Sequence, residues 1–203
     1  MSARLQLERA RIASETLALL GLPALVFDHK GKVLAANGLI EALTDQIRWH
    51  ARDRMSLKDS SAHSLFERAV TNVDVEGANP VLSFASRGVE ASAAMVVHVV
   101  PIRGASRDIF QRCAGVLVMM PVTFPQAPPV ELVRSLFDLT PAEARVARRL
   151  TTGETVETIA SNTGVSRNTV RTQLQGVLEK TGCSRQAEVV ALLSGMAIRR
   201  DGL

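Results

Sequence analysis

Residues 167–175, RNTVRTQLQ, crowd Arg167, Asn168, Thr169, Arg171, Thr172 and Gln175 into nine positions. The chemistry they offer is recognition by hydrogen bonds. Arginine presents a planar fork of donors, the amides pair a donor with an acceptor, and the hydroxyls serve either way. Arg171 can give two parallel hydrogen bonds to a guanine edge, and Gln175 can do the same for adenine. Arg171, Thr172 and Gln175 are spaced to share one face of a helix. Val170, Leu174 and Leu178 fall on the opposite face and can fix that helix to a scaffold. A polar, cationic front on an anchored helix is built to face a ligand.

The elements that must position this front precede it. Ile159 and Ala160 lie just upstream of Gly164, and Val165 and Ser166 follow it. Small Ala160 allows two helices to cross closely, and Gly164 suits a left-handed turn, which gives helix-turn-helix spacing. Ser166 is placed as N-cap of the second helix. The free N–H groups and positive dipole at such a helix end suit phosphates. This stretch is expected to face double-stranded DNA.

The block Leu139–Leu193 carries LTPAEARVARRLTTG, then TIA, GVS, NTVRTQL and LEKTGCSRQAEVV, and it resembles the LuxR-type (GerE-like) DNA-binding domain. The resemblance implies four helices, the third entering the major groove and the fourth commonly forming a symmetric dimer contact. By position, Arg171, Thr172 and Gln175 would meet bases, while Arg167, Asn168, Thr169, Lys180 and Arg185 would meet phosphate. In the last helix Glu188, Val189, Ala191 and Leu192 are the positions to watch for dimerisation, Val189 and Leu192 above all. Two departures stand out: Thr163 replaces an apolar residue usual in the family, and Thr155-Val156-Glu157 stands where Ser, Asn or Lys is frequent.

Upstream, residues 3–20 suit a helix with Leu5, Ile12 and Leu19 on one stripe. That stripe fits either packing on its own domain or a short dimer seam. ALVFD (24–28), a turn at HKGK with Gly31, and VLAAN (33–37) read as a β-hairpin. Helices are expected at 38–47 and at 61–70, the second with Leu65, Phe66 and Val70 at helical spacing. Strands are expected at 81–85, 92–102 and 114–122, an α+β order. PALVFDHKGKVLAAN, with the helix and long strands after it, resembles a PAS domain over roughly 21–122. This implies a five-stranded antiparallel sheet with small helices, serving as a sensor or dimerisation module. TFPQAPP (123–129) reads as a linker. Beyond it come a helix at 130–138, Thr140 as N-cap with Pro141 in the first turn, and Gly153 as a helix stop. The expected organisation is an N-terminal helix at 1–22, a PAS-like α+β domain at 23–122, a Pro-rich linker at 123–130 and an all-α helix-turn-helix domain at 131–203.

Composition narrows the classes. The 203 residues are 46% apolar and 22% charged, an ordinary folded composition. There is no Tyr and one Trp, which argues against a stacking platform for single strands. The net charge is +4 with a pI near 9.7, divided as +2 on each side of residue 130, so charge alone favours nucleic acid only weakly. The apolar runs at 17–27 and 115–120 are too short for a membrane span, and the N-terminus lacks a signal-peptide core. Cys113 and Cys183 are isolated, which fits a reducing cytoplasm, and Cys183 reads as a small turn residue. The four histidines show no metal-ligand spacing. His98 reads as a core or interface residue rather than a haem ligand, and Asp28 and Asn37 as caps. No enzyme, metal or cofactor is expected, although a small ligand of the PAS-like domain stays open. The sequence therefore points to a cytoplasmic, bacterial-type, homodimeric transcription regulator. A second reading is an adaptor whose helix-turn-helix contacts RNA polymerase or another protein.

Overall fold

The computed structural model describes residues 3–73, 81–88, 93–103, 112–123 and 127–196. The chain divides into two compact units that part at Thr123/Phe124.

The first unit opens with α1 (Ala3–Leu19), followed by β1 (Ala24–Phe27), β2 (Val33–Ala36), α2 (Gly38–Glu41), β3 (Ile47–His50), β4 (Arg54–Leu57) and α3 (Ser60–Thr71). Three longer strands close it: β5 (Leu82–Ser86), β6 (Met95–Pro101) and β7 (Gly115–Pro121). Five strands form one antiparallel sheet in the order β2-β1-β7-β6-β5, as the sequence led one to expect. Strand β1 is buried on both faces, which is why ALVF does not alternate. Leu25 and Phe27 enter the main core with Val97, Val99, Leu117, Met119 and Phe66. Phe27 and Phe66 meet edge to face with centroids 5.4 Å apart. Val26 points the other way, toward Ala10 of α1 and Cys113.

Helix α1 turns Gln6, Ala10 and Ser14 inward, one residue per turn, and leaves Leu5 (39% exposed), Ile12 (62%) and Leu19 (89%) outside. Asn37 ties it down. This fully buried amide accepts from the N–H groups of Ala24 and Ile40 and donates to the carbonyls of Ser14 and Leu22. It caps α2 and joins α1, β1 and α2 through one side chain. The Asp28 carboxylate caps the hairpin turn by accepting from Lys30 and Lys32. His98 is half-buried on the sheet's outer face, with Nδ1 2.8 Å from the Ser83 hydroxyl.

One expectation fails here. The helix at 38–47 is a single turn, Gly38–Glu41, and its tail enters a second hairpin, β3–β4. The connection 51–53 holds Arg52 and Asp53 at φ of 62° and 55°, without the glycine that usually signals such a turn.

The second unit is helical: α4 (Val130–Phe137), α5 (Pro141–Thr151), α6 (Val156–Thr163), α7 (Arg167–Thr181) and α8 (Gln186–Ser194). Helix α5 is the hub. Its Ala144 and Ala147 pack with Val133, Leu139, Val177, Val189 and Leu193. Its Val146 and Leu150 pack with Ile159, Ala160 and Val170.

Candidate nucleic-acid interface

Helices α6 and α7 are joined by Gly164 at φ 69°, a left-handed position that a side chain would strain. The Ser166 backbone is extended and its hydroxyl accepts from the Thr169 N–H at 3.0 Å, so the expected N-cap is in place. A helix end exposes four N–H groups without intrahelical partners; Ser166 takes one, and others are open to an anion. Val170 and Val177 are fully buried and anchor the helix, with Leu174 and Leu178 half-buried beside them. Opposite them Arg167, Asn168, Thr169, Arg171, Thr172 and Gln175 are all exposed. Arg167 and Arg171 make no ion pair among the described residues. The Thr172 hydroxyl donates to the Asn168 carbonyl, and the Gln175 amide donates to Glu179 Oε1 at 3.0 Å.

Two of the proposed phosphate contacts have partners already. Lys180 Nζ donates to Glu143 Oε2 at 2.8 Å and to the Asp138 carbonyl at 3.1 Å. Arg185 reaches Glu188 Oε1 from Nε at 3.1 Å, while Glu188 Oε2 accepts from the Ser184 N–H. The Glu188 carboxyl lies below its ordinary range through that Ser184 bond first and Arg185 second. Lys180 therefore pins α7 to the start of α5 as well as facing solvent.

Glu143 is the residue that sequence reasoning passed over. It completes a capping box, with its carboxylate accepting from the Thr140 N–H at 2.7 Å and its own N–H donating to the Thr140 hydroxyl. Its carboxyl is held below the ordinary range, chiefly by Lys180 and further by Thr140. The signal was present: T-P-A-E is the capping-box spacing. Glu143 also lies over Gly176, where an added Cβ would come within 2.5 Å of Glu143 Oε1.

Of the α8 positions expected to pair two copies, Val189 is fully buried in the unit's own core, Leu192 is half-buried and Ala191 is exposed. Thr163 stays outside the core, with its hydroxyl donating to the Ile159 carbonyl. Cys183 follows the left-handed Gly182 and bonds back to the Leu178 carbonyl, as a turn residue would.

These features define a helix-turn-helix unit with a polar recognition helix. Residues 138–193 match the family described as "Bacterial regulatory proteins, luxR family", so the second unit carries a LuxR-type DNA-binding domain. No curated protein matches the chain. Similar solved structures include the Vibrio cholerae VqmA dimer in the absence of target DNA, at 15% identity and TM-score 0.35, covering 91% of this chain and 88% of that one. Another is the phage VqmA-DPO complex, at 17% identity and TM-score 0.35, covering 94% and 90%. The V. cholerae VqmA-ligand-DNA complex stands at 15% and 0.36, covering 92% and 88%. No helix among the described residues is long and apolar enough to cross a membrane.

Proposed function

We propose that the protein is a sequence-specific, homodimeric transcription regulator of the bacterial cytoplasm. In this reading Arg171, Thr172 and Gln175 read bases, and Arg167, Asn168 and Thr169 hold phosphate. The first unit is a PAS-like module that senses a signal or joins two copies, and the protein catalyses no reaction. The observation that carries the reading is the exposed Arg171–Thr172–Gln175 face on a helix anchored by Val170 and Val177. One such helix spans only a few base pairs, so two copies on paired half-sites supply the missing affinity. The exposed Leu5, Ile12 and Leu19 stripe and the rim of α8 at Leu192 support that pairing.

The test is selection from a random duplex pool by the full chain. The expected product is a two-fold-related pair of short half-sites whose centres lie about one helical turn apart, roughly 10 bp. A pool that stays random in the presence of folded protein would instead favour the adaptor reading, in which this helix meets RNA polymerase or another protein.

A further inference from the structure

The sequence of α7 holds one acid, Glu179. It shares a face with the proposed base readers: Asn168, Thr172, Gln175 and Glu179 are all exposed and fall within about 60° of one another around the helix. A negative charge on a surface that meets phosphates opposes binding, so its presence there calls for a compensating role. The Gln175 amide donates from Nε2 to Glu179 Oε1 at 3.0 Å, one turn further along. Lys180, next in sequence, is turned instead to Glu143 and the Asp138 carbonyl. Chemistry fixes the direction of the Gln175–Glu179 bond. An ionised carboxylate only accepts, so it draws the NH2 end of the amide toward itself and turns the carbonyl oxygen away.

We infer that Glu179 sets the base preference of Gln175, holding its amide so that the outward oxygen and the remaining N–H accept adenine and reject guanine. The inference rests on the reading of this face as the one that meets bases. In the major groove adenine presents the N6 donor and the N7 acceptor, which the oxygen and one N–H of an amide satisfy together. Guanine presents two acceptors, N7 and O6. An amide free to turn over can offer guanine its NH2 end. An amide whose NH2 is held back meets O6 with its own oxygen, and two acceptors face each other without a proton. Glu179 is therefore a positioning residue that acts through Gln175.

The test is competition binding of the full chain to a selected duplex and to duplexes carrying every base in turn at each half-site position. Gln175→Ala identifies the position, because adenine preference disappears there. At that position the wild type should favour adenine over guanine by roughly tenfold, the discrimination of one bidentate pair. Glu179→Ala and the isosteric Glu179→Gln should each lower the ratio to about twofold, as an amide released from a one-way acceptor turns over. Both changes are at an exposed residue, so the fold should survive them. A role in shape alone would be kept by Glu179→Gln. In a Gln175→Ala background the Glu179 changes should alter no base preference, since the two residues act as one unit. An adenine preference that survives both Glu179 changes overturns the inference. So does a Glu179 effect that persists without Gln175, or a wild type that prefers guanine at this position. In those cases Gln175→Ala still shifts a base preference, and the base-reading face stands. If Gln175→Ala moves no position at all, Gln175 as a base reader falls together with this inference.

Discussion

Removing the Lys180 ammonium tests whether this cation is a structural pin. Lys180 and Glu143 have side-chain accessibilities of 36% and 14% and stand 2.8 Å apart, between the exposed and buried cases. Exposed pairs contribute about 0–1 kcal/mol, and pairs that share a hydrogen-bond network couple by about 0.5–3 kcal/mol. After discounting for solvent, a coupling of about 1 kcal/mol is expected between Lys180→Ala and Glu143→Ala. The Glu143 change should cost more on its own, because it also removes one leg of the capping box, worth about 1 kcal/mol. Glu143 has a folded pKa depressed below its ordinary 4.5, with Lys180 the largest cause. Its contribution is therefore complete above that ordinary value and is lost as pH falls through the lower folded one. The assay is urea unfolding of the full chain, followed by methyl signals of Val133 and Val177, at neutral pH and at about pH 3, below the ordinary carboxyl range. A neutral-pH coupling within the ~0.3 kcal/mol scatter of independent sites, or one that does not shrink on acidification, would refute the pin.

The remaining predictions concern the same scaffold and the hub of the first unit. Gly176→Ala should destabilise the wild type despite a gain of about 1 kcal/mol in helix propensity, because the new methyl meets Glu143; in a Glu143→Ala background it should stabilise, as read by thermal melts. Asn37→Ala should cost about 3 kcal/mol, from a lost cap plus buried groups left unpaired, with faster amide exchange at Ala24 and Ile40. Ser166→Ala should cost about 1 kcal/mol as a lost N-cap, seen as increased exchange at the Thr169 N–H.

The second unit was legible because its signals are local. Thr140, Ser166 and Gly164 each fix a helix end through their own backbone, and 3.6-residue spacing separates Val170 from Arg171. What escaped was set by tertiary contact. Val177 and Val189 look like other helical valines until α5 covers them, and the role of Gly176 depends on a glutamate 33 positions earlier. In the first unit the strands of the five-stranded sheet were visible as apolar runs. The β3–β4 hairpin was hidden because IRWH and RMSL alternate over only four residues each and their connection lacks glycine. The buried face of α1 was hidden for a related reason, since Gln6, Ala10 and Ser14 are two polar residues and an alanine that sequence patterning assigns to solvent.

The central claim is that the Arg171 face reads base sequence. The most direct measurement is titration of wild type and Arg171→Ala against a selected duplex and its scrambled counterpart at two salt concentrations. Arg171 is exposed and makes no ion pair among the described residues, so the fold should survive the change. The variant should lose about 1–3 kcal/mol per half-site on the selected duplex and little on the scrambled one. Arg167→Ala should weaken both alike and reduce the salt slope by about one unit. An Arg171→Ala protein that is folded and keeps the wild-type ratio between the two duplexes would contradict the placement of α7 in the major groove.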